Sequence, residues 1–187
     1  DPKFLQELYD SLLEQTNPDW EWVLVPNNNA RDIKLNFTDP RVKIYPFPNT
    51  IDRVGALKRF GFEHAVGDIL AEVDHDDILM PTCLECVQKE FDLKSDVCFV
   101  YSNSINMDIS VEPWQPIIWS EDYGWSYRPI EWKGRALLEA RSADPYPQSI
   151  SRIWFAPNHI RAWRSEDYWE IGGHDETMQI SDDHDIM

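Results

Sequence analysis

The sequence predicts an α/β fold, a mainly parallel central sheet with helices packed on it. Two observations carry that prediction. Segments with apolar residues at helical spacing alternate along the chain with short apolar runs of strand length. The central apolar run, Ile69 to Val73, also ends in a dense polar turn, Asp74-His75-Asp76-Asp77. In open α/β sheets, ligands bind beyond the carboxyl ends of the strands.

The elements follow in order. Asp1-Pro2 reads as an N-cap with proline at the first helical position. Phe4, Leu5, Leu8, Tyr9, Leu12 and Leu13 then repeat at helical spacing until Thr16-Asn17-Pro18 stops the helix. Trp20 to Val25 is a buried strand that ends at Pro26-Asn27-Asn28-Asn29, and Arg41 to Tyr45 is a shorter one. From about Asp52 to Ala65, Val54, Leu57, Gly61 and Ala65 share one helical face, and Gly67 closes that helix as a C-terminal glycine. After the strand at 69–73 come a helix from Pro81 to about Phe91 and a strand from Val97 to Tyr101. Between Val111 and Ile150 the texture changes: Trp114, Trp119, Trp125, Trp132, Tyr123, Tyr127 and Tyr146 sit among prolines with little periodicity, as in an insertion. The regular pattern resumes near Ile153. Ser165 caps a short helix that ends at Gly172-Gly173, and Ser181 caps another that starts at Asp182.

The 187 residues fit one domain with its own core, and the 42% hydrophobic and 27% charged content is that of a globular chain. A formal net charge of −17 argues against a nucleic-acid duplex as partner, since phosphate backbones demand a basic face. No apolar run approaches the ~18 residues that span a bilayer. Three cysteines give no disulfide framework and suit a reducing, cytoplasmic setting, with any membrane association left to segments outside this chain. Cys83-Leu84-Glu85-Cys86 lacks the second pair that a zinc site needs and falls on one turn of a helix.

Two carboxylates about 4 Å apart repel by roughly 4 kcal/mol at an effective dielectric near 20. A divalent cation relieves that repulsion and makes an oxygen-lined site for Mg²⁺ or Mn²⁺, with positions open to phosphates. A solvated acidic turn before a helix explains the same residues without a ligand.

Five ordered blocks separate these readings. Ser11-Leu12-Leu13-Glu14-Gln15-Thr16 with Asp19-Trp20-Glu21 resembles the opening of family 2 glycosyltransferases of the GT-A fold. Gly55-Ala56-Leu57 through Gly61, Ala65, Gly67-Asp68-Ile69 and Asp74-His75-Asp76-Asp77-Ile78-Leu79 resembles their central block, which ends in the DxD motif. Tyr101-Ser102-Asn103, Ile171-Gly172-Gly173-His174-Asp175-Glu176 and Ser181-Asp182-Asp183-His184-Asp185-Ile186 resemble the three later ones.

The resemblance implies a GT-A nucleotide-diphospho-sugar transferase fold over 1–187. Residues 1–108 would be the nucleotide-binding half, 111–150 an aromatic and proline-rich insertion, and 151–187 an acceptor-side half. The family's first strand would be missing at the start, and later acceptor-side structure at the end. The implied activity is inverting transfer from a nucleoside-diphosphate sugar, a UDP-sugar favoured, to a carbohydrate or other hydroxyl acceptor, with Mn²⁺ or Mg²⁺. Asp76 would hold the metal, with Asp74 on metal or ribose. Asp77 would be a helix cap or support. Asn27 and Arg53 would face the base, Asn27 standing where the family carries an acidic pair. Lys58 and Arg59 replace the family's Arg-Asn. Asp183 would be the general base, with Asp182 in place of the usual Glu before it. Asp175, Trp125 and Trp132 would lie on the acceptor side.

Two other classes compete. A dinuclear metal hydrolase would use His174, Asp175, Asp183 and His184. A carbohydrate-binding module would use the nine tryptophans as stacking faces. Neither accounts for the order of the blocks.

Overall fold

The structure, a computed structural model, describes residues 2–33, 35–48, 53–105, 125–142, 146–151 and 160–186. The expected cap Asp1, the expected helix start at Asp52, and Trp114, Trp119, Tyr123 and Ile153 lie outside the described residues.

The helices are α1 (Pro2–Leu13), α2 (Val54–Glu63), α3 (Cys83–Leu93), α4 (Pro147–Ile150), α5 (Ser165–Glu170) and α6 (Asp182–Asp185). The strands are β1 (Trp22–Leu24), β2 (Val42–Ile44), β3 (Ile69–Glu72), β4 (Phe99–Tyr101), β5 (Ser104–Ile105), β6 (Ser126–Trp132), β7 (Arg135–Arg141) and β8 (Arg161–Arg164).

The expectation of a mainly parallel sheet needs correction among the described strands. Only β1 and β2 pair in parallel. In the three-stranded sheet β3-β8-β4, the middle strand is antiparallel to both neighbours. The strands β3 and β4 therefore run the same way, as a β-α-β unit through α3 requires. They are separated by β8, which arrives from late in the chain and left no sign in the helix–strand alternation upstream.

That sheet has two covered faces, sorted by the two-residue period of its strands. Ala162 of β8 joins Leu8, Leu12, Leu79, Val87, Phe91 and Ile160 in a core against α1 and α3. Its neighbour Trp163 points the other way, into a second core with Phe62, Leu70 and Tyr168 from α2, β3 and α5. Each fully buried large apolar side chain contributes about 1.5–3 kcal/mol.

Polar side chains fix where α1 meets the segment after the acidic turn. Buried Ser11 accepts the Leu79 N–H at 3.2 Å and donates to Leu8 O at 2.7 Å. Gln15 Nε2 donates to Met80 O at 2.9 Å and to Ser11 O at 3.0 Å, while its Oε1 accepts the Leu84 N–H at 3.1 Å. Leu84 lies in the first turn of α3, whose N-cap Thr82 makes no side-chain cap bond. Gln15, two residues past the end of α1, thus caps α3 from outside it.

Several boundaries differ from expectation. Helix α2 ends at Glu63 with His64 as C-cap, short of Gly67. Ser165 is the first residue of α5 rather than its cap, which is Arg164. Asp77 does not cap α3; its N–H closes a turn onto Asp74 O at 3.1 Å, and Thr82 takes the cap position. Of the stretch read as aperiodic, 126–141 is a β6–β7 hairpin joined to β5, turning at Lys133-Gly134 with positive φ at both. Its mixed, mostly exposed faces and Pro129 hid the alternation. Residues 111–124 lie outside the described residues.

Candidate active site

The site begins with a charge in the wrong place for a core strand. Leu70 and Glu72 of β3 share one face and are both buried, 2% and 7% exposed. A buried carboxylate must be paired. The cross-strand partner of Glu72 in the register is Arg161 of β8, and Arg161 Nη1 reaches Glu72 Oε1 at 2.6 Å. From the second core layer, Lys58 Nζ of α2 lies 3.3 Å from Glu72 Oε2.

Both cations continue to α6. Lys58 Nζ stands 2.9 Å from Asp182 Oδ2 as an ion pair. Arg161 Nη2 stands 3.0 Å from Asp183 Oδ2. Burial pulls the Lys58 pKa down, but the charge of Glu72, then the close contact with the Asp182 carboxylate and its charge, outweigh it and leave the pKa raised, against an opposing push from Arg161.

His174 closes the cluster from below. Tyr168 Oη accepts the His174 backbone N–H at 3.0 Å and lies 2.8 Å from Nδ1, and the two carboxylates that face Nε2 favour the tautomer in which the hydroxyl donates to Nδ1. With Nδ1 accepting, the neutral ring carries its proton on Nε2. That nitrogen lies 3.5 Å from Glu72 Oε2 and 3.6 Å from Asp182 Oδ2. Burial is the main cause that lowers the His174 pKa; Lys58 and Arg161 act in the same direction, while Glu72 and Asp182 oppose them. Burial also pushes the Tyr168 hydroxyl up to about 12, so it keeps its proton.

The loop that delivers His174 and α6 depends on two glycines. A Cβ on Gly55 would stand 2.0 Å from Asp175 O, so α2 can touch this loop only without a side chain there. Gly173 has φ +65, and a Cβ there would stand 2.7 Å from the Tyr168 ring.

The residues expected from the sequence fall into groups. Asp182 and Asp183 meet the strand that leads into the acidic turn: Asp183 is joined by Arg161 to Glu72, two residues before Asp74. Asp74 and Asp76 are exposed, and His75 Nδ1 lies 3.6 Å from Asp76 Oδ1. Arg53 is the N-cap residue of α2. Asp175 Oδ1 accepts the Thr177 N–H at 2.7 Å. Its pKa is lowered first by that bond, then by the Thr177 side chain and the Arg53 charge, against slight desolvation. Asn27 is the N-cap residue of the 3₁₀ turn Asn28–Ala30 and makes no side-chain cap bond, so its amide is not used there. Trp132 is half-buried with Lys133 Nζ 5.2 Å from its ring. Trp125 is 3% exposed and offers no open face to a sugar, a correction to its expected stacking role.

The four residues of the hydrolase reading do not converge. His174 is fully buried with Nδ1 engaged by Tyr168, while Asp175 is exposed in its own turn. Among the described residues no three His, Cys, Asp or Glu side chains are grouped to hold a metal ion. The sequence reading missed Glu72 and Arg161. Their signal was a charge at a core position in an apolar strand, which demands a partner from elsewhere.

An α/β domain that gathers two acidic segments at one end of a strand fits a glycosyltransferase. The chain belongs to the family described as Glycosyl transferase family 2, whose sequence pattern matches residues 1–152. That membership makes it a glycosyltransferase with the α/β GT-A class of fold. It is similar to a chondroitin synthase of Pasteurella multocida (strain Pm70), 28% identical over 157 residues that cover 81% of this chain and 15% of that protein. A hyaluronan synthase of Pasteurella multocida is similar at the same 28% identity over 157 residues, covering 81% of this chain and 15% of that protein. The chain therefore spans only about 15% of the length of these relatives. No described helix is long and apolar enough to cross a membrane.

Proposed function

We propose that the chain moves a sugar from a nucleoside-diphosphate sugar, a UDP-sugar favoured, to an acceptor hydroxyl with inversion, assisted by Mn²⁺ or Mg²⁺. The observation that carries this reading is the Asp183–Arg161–Glu72 chain of contacts, at 3.0 and 2.6 Å, which ties α6 to the strand that runs into Asp74 and Asp76. The synthase names of the two relatives support a carbohydrate acceptor. The free thiols of Cys83, Cys86 and Cys98 support a reducing, cytoplasmic compartment.

Asp74 and Asp76 supply two hard oxygen donors on an exposed turn, a set that suits Mg²⁺ or Mn²⁺ with the remaining positions left to phosphate and water. When bound, such an ion neutralises charge on a diphosphate leaving group. Asp183 accepts the proton of the attacking hydroxyl. One of its oxygens holds Arg161 and the other accepts the His184 N–H at 2.9 Å, and a carboxylate has lone pairs to spare for a third contact. Asp182 supports the start of α6. Asn27 and Arg53 recognise the base, while Asp175 and Trp132 border the acceptor.

Asp183→Asn keeps size and hydrogen bonding but removes basicity. Calorimetry should show UDP binding with MnCl₂ intact, while transfer falls by at least ~10². Asp182→Asn should cost less in transfer and more in stability. Small, equal transfer losses in both variants would remove Asp183 from this role. Asp76→Asn should abolish the Mn²⁺-dependent part of UDP binding, and unchanged affinity would refute the metal assignment.

A further inference from the structure

We propose that Lys58 and Arg161 form a two-armed clamp, anchored on Glu72, that positions the acid pair of α6 over the acidic turn. The inference rests on the reading of Asp183 as the base and assigns two positioning residues to it.

Helix α6 cannot place itself. It has four residues, too few for a helix to be stable from its own hydrogen bonds. Its N-cap Ser181 sits at φ 62, an unfavourable left-handed conformation, and makes no side-chain cap bond. Its placement must come from tertiary contacts. Adjacent helical positions point about 100° apart, so Asp182 and Asp183 cannot be held by one cation on one side. Two cations from different elements do it: Lys58 from α2 takes Asp182 at 2.9 Å, and Arg161 from β8 takes Asp183 at 3.0 Å. Both return to the same carboxylate, Arg161 to Glu72 Oε1 at 2.6 Å and Lys58 to Oε2 at 3.3 Å.

Glu72 is a suitable anchor. It is set in the ladder opposite Arg161, and Asp74 follows two residues later in the chain. The relation between Asp183 and the acidic turn is thus fixed by one guanidinium and a short stretch of backbone. The guanidinium uses its fork, one terminal nitrogen for each carboxylate. A lysine at 161 has a single nitrogen on a flexible stem and cannot span the two in a fixed geometry. A network that served stability alone would not need the acid pair divided between two cations that share an anchor.

The test compares wild type, Arg161→Lys, Asp183→Asn and the double variant in the 187-residue chain. Binding is read with UDP and MnCl₂, and turnover as UDP release from the member of a UDP-sugar panel that wild type uses fastest. The clamp predicts that Arg161→Lys lowers kcat at least tenfold with UDP affinity within twofold. In the Asp183→Asn background the same change should alter turnover less than twofold. Amide hydrogen exchange at 184–186 should accelerate at least tenfold in Arg161→Lys, more than in β3 or β8; this readout needs no turnover. Wild-type kcat in Arg161→Lys beside a crippled Asp183→Asn would overturn the clamp and leave the base reading standing. Wild-type turnover in Asp183→Asn would overturn the base reading, and the clamp with it. An equal penalty of Arg161→Lys in both backgrounds, or unchanged exchange in α6, would reduce the network to a structural one. Should Arg161→Lys fail to fold, Glu72→Gln breaks the same fork and is judged by the same two readouts.

Discussion

Lys58→Met is the sharpest stability test of the charge cluster. The lysine side chain is 18% exposed, and its partners Glu72 and Asp182 are 7% and 5% exposed. Methionine fills the space of the stem but removes the charge. Glu72 keeps Arg161, whereas Asp182 Oδ2 is left facing His174 Nε2 at 3.6 Å. Removing one partner of a buried ion pair costs about 3–5 kcal/mol, because the other charge stays buried. The partial exposure of Lys58 places this case near the lower end, about 3 kcal/mol. For a chain of this size each kcal/mol lowers Tm by about 2–4 °C, giving a fall of about 6–12 °C. Thermal and urea denaturation followed by circular dichroism measures it. Adding Asp182→Asn should recover part of the loss, since the two sites are coupled. A loss below about 0.5 kcal/mol, the range of a surface pair, would refute the claim that the cluster is buried and mutually dependent.

Other outcomes follow from the same structure. The folded-state pKa of His174 is lowered, so the unfolded chain binds the proton more readily; the stability from the neutral buried ring is complete above the unfolded value of 6.5 and is lost as pH falls through 6.5 toward the lower folded value. Urea denaturation at pH 7.5 and 5.5 should therefore show a larger loss in wild type than in His174→Gln, and equal losses would count against a neutral buried His174. Gly173→Ala should cost about 2 kcal/mol or more, since it combines φ +65 with a Cβ position 2.7 Å from Tyr168, whereas Gly134→Ala, at φ +75 with nothing within 4 Å, should cost only about 1 kcal/mol. Gln15→Ala removes three hydrogen bonds and should cost roughly 1–3 kcal/mol by denaturant titration; a neutral result would mean that Gln15 does not cap α3.

Local pattern revealed the elements and left their partners hidden. The leucines of α1, the apolar run of β3 and the segment of α3 are visible because one face of each repeats at its own period. The acidic turn was legible for the same reason: it interrupts a strand abruptly. The pairing of Glu72 with Arg161 was not, because 89 positions separate them and only the antiparallel register of β8 brings them together. Ser11 and Gln15 were visible as letters of a recurring opening block, but their work is in the fold, where they tether Leu79, Met80 and Leu84 behind the acidic turn. Trp125 looked like a candidate stacking face because composition cannot distinguish a buried ring from an exposed one.

The least legible feature is the face of α2. Hydropathy selects Val54, Leu57, Gly61 and Ala65, yet Val54 is 38% exposed. The face that gathers the site is Gly55, Lys58, Arg59 and Phe62, a helical stripe at i, i+3, i+4 and i+7. Each member has a different task. Gly55 admits the Asp175 carbonyl. Lys58 takes Glu72 and Asp182. Arg59 donates to the carbonyl of Gly172 and stands over the Trp169 ring at 5.3 Å. Phe62 meets Tyr168 edge-on at 4.8 Å between centroids. Two of the four are cations, so a scale built on transfer to an apolar phase assigns the stripe to water. Burial here rests on neutralisation and backbone hydrogen bonding rather than on apolar area. This one stripe docks the whole run from Gly172 to Asp182 onto the sheet. It is therefore α2 that brings the late acidic segment to the end of β3.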